Sequence, residues 1–337
     1  MQTVSGFEDI WHLLDWPNRR KPETLLSGLT LGRARPDRLV RLAAGARETV
    51  VIFTGAPRNG TRLRQHLNYI SRQGALALED QDGFRLQGRA AMAELAEDWN
   101  AMAQTDSRIR DNMPLSRSMI FSMPPGTNRE AFSAAVRQTA QERLGRQFDF
   151  AWLRHDDAPH PHAHLVVRAQ GEGGVRFTPR LSDGDLFRET FAASLREHGV
   201  MAEATHRVVR GVTRKSEQHV LRRMRERYEA GDCEAPRTLR SAYLEASETA
   251  FDPSVPLRPW ELQISQTQSH IRGLYLRQAK LLADSSDEDD RRLAKSLQTF
   301  VSVMPRADTR RLEMARQLRE LADQLKERAA YHRTLIR

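Results

Sequence analysis

Cysteine is almost absent from this sequence of 337 residues, which contains only Cys233. A single cysteine excludes a disulfide bond within the chain, and it excludes a zinc site built from several thiolates. A small fold that depends on disulfide bonds or on a thiolate zinc site is therefore excluded. Its length instead favours two domains, each with a hydrophobic core of its own.

Long apolar runs are also missing. No stretch of the sequence approaches the roughly 18 to 20 consecutive apolar residues that a transmembrane helix requires. Residues 1–8 lack the basic segment and the following apolar segment of a secretory signal peptide. We therefore expect a cytoplasmic protein without membrane insertion.

Acidic residues are outnumbered by basic ones. The chain has 53 lysine and arginine residues against 44 aspartate and glutamate residues, which gives a formal net charge of +9. This balance favours a polyanionic partner, and nucleic acid is the leading candidate. Basic charge alone is a weak signal, because many solvated surfaces are rich in arginine.

Four of the eleven histidines fall within residues 155–164, directly before an apolar run. Because alternate residues of a strand share a face, His162 and His164 are predicted to point the same way. With His155 upstream they form a half-shell for a divalent metal, and Asp157 is close enough in sequence to orient one imidazole. Imidazole ligands suit zinc, manganese, iron, copper or nickel. A solvated loop is the alternative interpretation.

A tyrosine stands off the core of a predicted helix that follows an apolar, β-branched strand. The predicted buried stripe of this helix consists of Leu63, Leu67 and Ile70. Tyr69 lies outside the stripe and shares a polar, basic face with His66 and Arg72. A tyrosine beside an arginine is a candidate nucleophile for a phosphate. The alternative interpretation is a partly buried surface tyrosine.

Residues 48–212 show a mixed pattern of strands and helices. The predicted order is strand, helix, hairpin, helix, strand, helix, two strands and helix. The two strands around the histidine cluster are too close for a crossover helix, so they should pair antiparallel. The fold class is therefore α+β, with an antiparallel sheet flanked by helices.

The two ends of the chain differ from this central part. Residues 213–337 show helical patterns and predict an all-α accessory or interaction domain. In its last helix a short coiled-coil-like seam is predicted, which consists of Met314, Leu318, Leu321 and Leu325. The acidic stretch 284–290 is interpreted as a linker. Residues 1–47 form a basic N-terminal extension, either an arm that touches DNA or a solvated segment.

Three motifs of the central part occur in an order and spacing typical of one family. They are the tyrosine motif Leu67–Gly74, the strand and turn Met119–Thr127, and the histidine motif His155–His164 with its pair of histidines around an apolar residue. Together they resemble the relaxase domain of conjugative DNA-transfer proteins in the HUH endonuclease superfamily, in particular the T-DNA border endonucleases. The resemblance covers about half of the chain, within residues 48–212.

The resemblance implies an enzyme that nicks and rejoins single-stranded DNA at a transfer origin. Tyr69 would attack a phosphodiester, which leaves a 5′-phosphotyrosyl bond and a free 3′-hydroxyl. The implied ligands of Mg²⁺ or Mn²⁺ are His155, His162 and His164. Three imidazoles are an unusual set for Mg²⁺, so ligand chemistry alone favours manganese or zinc. Asp157 and His160 are alternative bases for the tyrosine proton, and Arg72 is expected to stabilise phosphate charge.

The resemblance also implies partners and a role in plasmid mobilisation. These partners are accessory relaxosome proteins and the type IV coupling protein with its secretion system, through which the protein would travel into recipient cells with its DNA. Two other functions fit the same residues. One is a rolling-circle replication initiator with the same chemistry, although the motif holds only one tyrosine. The other is a non-catalytic DNA-binding scaffold that recruits partners and holds a structural metal.

Overall fold

A computed structural model describes residues 37–110, 112–145, 147–213 and 219–335. Most of the predicted N-terminal extension, residues 1–36, lies outside the described residues. The described chain divides into two compact units, and the division falls between Thr205 and His206. Among the described residues, no helix is both long enough and apolar enough to cross a membrane.

The first unit alternates helices and strands. Its helices are α1 (Asp37–Ala43), α2 (Gly60–Ile70), α3 (Gly88–Thr105), α4 (Arg129–Leu144) and α5 (Leu181–Glu197). Its strands are β1 (Arg47–Glu48), β2 (Val50–Gly55), β3 (Leu78–Asp80), β4 (Arg85–Leu86), β5 (Ser116–Ser122), β6 (Phe150–His155), β7 (His162–Arg168) and β8 (Ala202–Glu203). This order confirms the predicted α+β class.

Six strands form the main sheet in the order β2-β5-β7-β6-β3-β4. Every neighbouring pair in it is antiparallel, including the predicted hairpin of β3 and β4 and the pair of strands around the histidine cluster. The apolar run that was predicted as a single first strand forms two short strands, β1 and β2, in different sheets. β1 pairs parallel with β8 in a separate two-stranded sheet, while β2 forms one edge of the main sheet.

Each face of the main sheet packs against a different pair of helices. On one face, an aromatic cluster joins the sheet to α4 and α5; its phenylalanines include Phe121, Phe132, Phe150 and Phe191. On the other face, α2 and α3 pack through Leu63, Leu67, Ile70, Met92 and Trp99 against Leu153 and Val166. Because strand residues alternate in direction, the odd-numbered residues of β6 and the even-numbered residues of β7 share this second face.

The start of α2 is set by Asn59. The side-chain Oδ1 of Asn59 accepts a hydrogen bond from the backbone N–H of Arg62 at 2.9 Å, as an N-cap does. The helix then runs to Ile70, and its three apolar residues at i, i+4 and i+7 are fully buried. The predicted buried stripe of this helix is therefore confirmed.

The second unit is helical, as predicted. Its helices are α6 (His219–Glu229), α7 (Arg237–Phe251), α8 (Pro259–Ala283), α9 (Glu288–Ser302) and α10 (Arg310–Leu335). α8 packs with α9, and α7 packs with α10. α9 was not predicted from the sequence, because its acidic first turn was interpreted as a linker. Those acids stabilise the helix N-terminus, where Asp287 caps the backbone N–H of Asp289.

The predicted seam of the last helix is only half right. Met314, near the start of α10, is buried with 8% of its surface exposed. Leu321 and Leu325 are 53% and 56% exposed, although they continue the same spacing. Helical spacing places apolar residues on one face, but a partner covers that face only along the first turns of α10.

Candidate active site

Three histidines of the cluster converge on the sheet face that packs against α2 and α3. In the register of β6 and β7, His155 lies opposite His162, and His164 lies opposite Leu153. The ring centroid of His155 lies 5.0 Å from that of His162 and 4.6 Å from that of His164. One nitrogen from each ring lies within 4.8 Å of the other two. These distances are compatible with three ligands of one metal ion.

The hydrogen bonds of the triad leave ligand atoms available. Nε2 of the buried His155 lies 2.7 Å from the carbonyl oxygen of Ile70, so this ring nitrogen carries the proton and donates it. Of the two ring nitrogens of His155, Nδ1 is therefore the one that remains available to bind a cation. In His162, Nδ1 lies 3.4 Å from the carbonyl oxygen of His160, which leaves Nε2 on the opposite side of that ring.

Burial favours the uncharged form of two of the three imidazoles. It lowers the pKa of the His162 imidazole, and it lowers the pKa of His164 to about 3, with the neighbouring His155 and His162 adding to the effect. Metal ions bind the neutral form of histidine. The donor type, the spacing and the anchored ring of His155 together fit a divalent cation.

Tyr69 lies at the end of α2 that is nearest to the triad. Its neighbour Ile70 is the residue whose carbonyl accepts the proton of His155. The tyrosine side chain is 65% exposed, and within the described residues its hydroxyl makes no hydrogen bond. Tyr69 is open to solvent beside the histidine strands.

Arg72 and Asp157 connect the end of α2 to the histidine loop. The backbone of Arg72 has φ of 54°, a left-handed conformation that non-glycine residues rarely adopt, and its N–H donates to the carbonyl of Tyr69. Its Nη2 donates to Oδ2 of Asp157 at 2.5 Å. This hydrogen bond lowers the pKa of the Asp157 carboxyl. The partner of Asp157 is thus an arginine, while the His155 ring is oriented by a backbone carbonyl.

His160 completes the set of predicted residues. It is half-buried in the loop before β7, and its ring centroid lies 5.3 Å from that of His162. All seven predicted site residues therefore belong to two neighbouring segments, the end of α2 with its following turn and the loop with the two strands around the cluster.

Two features of this region were not assigned a role from the sequence. His66, one turn before Tyr69, places Nε2 at 2.9 Å from Oγ of Ser118 on β5, and burial lowers its pKa. On the loop, Asp156 accepts hydrogen bonds from Arg129 and Arg154. The i−3 spacing from Tyr69 was the only sign of His66 in the sequence, because Ser118 lies 52 residues further along the chain.

This arrangement combines an exposed phenol, a guanidinium and three imidazole nitrogens that could bind one cation. A phenol is a weak nucleophile at neutral pH unless a base or positive charge assists it. A phosphate bound between Arg72 and a cation held by the histidines would meet positive charge on both sides. The geometry therefore suits attack by Tyr69 on a phosphodiester.

Comparison with known proteins agrees with the motifs. Residues 69–200 match the family model "Relaxase: MobA/VirD2-like, nuclease domain". The T-DNA border endonuclease VirD2 of Rhizobium radiobacter is 30% identical over 205 residues, which cover 53% of this chain and 47% of that protein. VirD2 of Agrobacterium fabrum is 29% identical over 213 residues, with 53% and 45% covered. The resemblance to relaxases is thereby confirmed, while the chain spans about half the length of these curated relatives.

Proposed function

We propose that this protein is a relaxase that nicks and rejoins one strand of DNA at a transfer origin and guides that strand during conjugative transfer. The observation that carries the proposal is the hydrogen bond between His155 and the carbonyl of Ile70. It fixes the histidine triad to the end of the helix that presents Tyr69. The match to the relaxase nuclease domain supports the same chemistry.

The proposed step is a transesterification. The phenol oxygen of Tyr69 forms a bond to phosphorus, and the bond from phosphorus to the 3′-oxygen of the preceding nucleotide breaks. The products are a 5′-phosphotyrosyl bond and a strand that ends in a 3′-hydroxyl, once the leaving oxygen has taken a proton. Because one phosphate ester replaces another, the reverse reaction rejoins the strand.

Each side chain has a separate part in this step. His155, His162 and His164 would hold Mn²⁺ or Mg²⁺, and a cation bound there supplies polarisation of the phosphate and neutralisation of its charge. Arg72 donates to a phosphate oxygen. The lowered pKa of Asp157 makes it a poor base at neutral pH, so we assign it to orienting Arg72. His160 is then our candidate for the group that accepts the phenol proton.

A direct test starts from a pool of random-sequence single strands labelled at the 3′ end. The pool is incubated with the protein and Mn²⁺ or Mg²⁺, and covalent adducts are detected on a denaturing gel. The labelled fragment should stay attached to the wild-type protein and not to Tyr69→Phe. Sequencing the attached strands then gives the nick site. If neither cation supports an adduct, or if Tyr69→Phe forms it equally well, the proposal is wrong.

The biological setting of the reaction is a further part of the proposal. VirD2 is named as a T-DNA border endonuclease, and this chain shares its nuclease region. We expect accessory relaxosome proteins at the origin and a type IV coupling protein that receives the covalent complex. A mating assay with a mobilisable plasmid tests this setting, because Tyr69→Phe should abolish transfer while leaving plasmid copy number unchanged.

A further inference from the structure

The two arginines of α2 lie on different sides of the helix. Arg62 and Arg64 are the only charged residues of α2, both are exposed, and neither forms an ion pair within the described residues. At 3.6 residues per turn, Arg62 lies within about 20° of the direction of Tyr69, whereas Arg64 is rotated by about 140°. Arg62 therefore continues the face that presents the nucleophile, and Arg64 does not.

The distance along this face matches a short piece of DNA strand. Seven residues separate Arg62 from Tyr69, which corresponds to about 10.5 Å along the helix axis. A stacked strand advances about 3.4 Å per nucleotide along its axis, so this distance spans about three nucleotides, and fewer if the strand is extended. His66 lies between the two residues, and its bond to Ser118 fixes this side of α2 to β5.

The edge strand β2 carries an exposed apolar residue on the face of the sheet that packs against α2. In the sheet register, Ile52 on β2 pairs with Ile120 on β5, which pairs with His164 on β7. Directly paired residues of antiparallel strands share a face, so Ile52 lies on the face of the triad. Leu153 and Val166 on this face are buried, but Ile52 is 53% exposed. The outer strand of the sheet is thus open beside the site.

We propose that the nucleotides next to the scissile phosphate lie in the groove between α2 and β2, with a backbone phosphate on Arg62 and a base on Ile52. A single strand has a charged backbone and apolar bases, and proteins bind it with a basic wall facing an apolar one. In the proposed groove Arg62 supplies the basic wall and Ile52 supplies the apolar wall, and both walls lead to the triad. The inference rests on the proposed function, because it places a substrate in the site proposed for nicking.

The first experiment compares the two arginines. Binding of a fluorescent 20-mer of thymidines is measured by anisotropy across a salt series for wild type, Arg62→Gln and Arg64→Gln. Both variants lose one charge from the same helix. We expect Arg62→Gln to lower the slope of log affinity against log salt by about 0.7, the share of one single-strand phosphate contact, and Arg64→Gln to leave it unchanged.

The second experiment places a negative charge on the apolar wall. Ile52→Glu is compared with Met201→Glu, since both side chains are 53% exposed and Met201 lies beside the separate sheet of β1 and β8. Ile52→Glu should weaken binding of the same oligonucleotide more strongly than Met201→Glu. Circular dichroism and thermal unfolding of each variant show whether the fold is retained, and Ile52→Ala replaces Ile52→Glu if it is not.

The outcomes separate this inference from the proposed function. If Arg62→Gln and Arg64→Gln change the salt dependence of binding equally, only the total charge matters and the proposed binding groove is rejected. The proposed groove is also rejected if Ile52→Glu and Met201→Glu weaken binding equally. An adduct formed by wild type and reduced by neither Arg62→Gln nor Ile52→Glu would also reject the groove while the proposed function stands. Binding that distinguishes both pairs, without any adduct from wild type, would support the groove and reject the nicking proposal.

Discussion

Nε2 of His155 lies 2.7 Å from the carbonyl oxygen of Ile70, the residue that directly follows Tyr69. The bond crosses 85 residues of sequence and joins β6 to the end of α2. It leaves Nδ1 of His155 as the ligand atom and fixes the position of the tyrosine relative to the triad. This hydrogen bond therefore links the proposed cation site to the helix that carries the proposed nucleophile.

Replacing the nucleophile should separate chemistry from folding. Tyr69→Phe removes one exposed hydroxyl, so we expect the free energy of unfolding to change by less than about 0.5 kcal/mol. Covalent adduct formation should fall below detection, because phenylalanine cannot attack phosphorus. Tyr228→Phe, a partly exposed tyrosine of the helical unit, is the matched control and should form adduct at the wild-type rate.

Each histidine of the triad should be required for cation binding. His162→Ala and His164→Ala are expected to weaken Mn²⁺ binding, measured by calorimetry, by more than about 100-fold, since each removes a ligand and not merely its support. His198→Ala, which removes a histidine bonded to Gln138 on α4, should leave Mn²⁺ affinity unchanged. Unaltered Mn²⁺ affinity in either triad variant would exclude the site.

The roles of Asp157 and His160 can be separated by the rate of adduct formation against pH. If Asp157 only orients Arg72, Asp157→Asn should slow the reaction by about tenfold and leave the shape of the pH profile unchanged. His160→Ala should slow it by about 10² to 10⁴ near pH 7, the usual range for a lost general base, with partial recovery at high pH. The reverse pattern would make Asp157 the base.

Gly74 should tolerate no side chain. Gly74 and Gly83 both have left-handed backbones, with φ of +83° and +87°. A Cβ at Gly74 would lie 2.4 Å from the carbonyl carbon of Gly88, whereas at Gly83 nothing lies within 4 Å. Gly83→Ala should cost about 1 kcal/mol in urea unfolding, from backbone strain alone. Gly74→Ala should cost more than about 3 kcal/mol, or reduce adduct formation by displacing the turn that holds Arg72.

A buried ion pair should make the helical unit sensitive to acid. Burial would raise the pKa of Glu261, but hydrogen bonds from Arg311, the backbone of Arg258 and Thr309 outweigh it and lower the pKa to about 2. The ordinary value is 4.5, so the unfolded chain binds the proton more readily. The stabilisation is complete above pH 4.5 and is lost as the pH falls towards 2.

The corresponding variant is Glu261→Gln. At pH 7 it should destabilise the protein by roughly 3 kcal/mol, because Arg311 is left buried without its partner. The difference in melting temperature from wild type should shrink as the pH falls from 4.5 towards 2. Glu234→Gln, whose carboxylate is 92% exposed in its pair with Arg240, should change the melting temperature little at any pH. A constant difference for Glu261→Gln would contradict the assigned pKa.

Features that depend on local periodicity and on motifs were predictable from the amino-acid sequence. The buried stripe of α2 left Tyr69 on another face, and the alternation of β7 placed His162 and His164 together. The short connection between the histidine strands required antiparallel pairing. Such features follow from neighbouring residues, because helices and strands fix the direction of each side chain relative to the next.

Which elements come into contact is visible only in the folded chain. The sequence could not show that Ile70 accepts from His155, that Arg72 pairs with Asp157, or that Ile52 remains open beside the triad. Periodicity also failed in α10, where Leu321 keeps the spacing of a buried seam but stays exposed. The physical reason is the same in each case. A repeat specifies the side of an element on which a residue lies, whereas burial and pairing depend on partners that are distant in the chain.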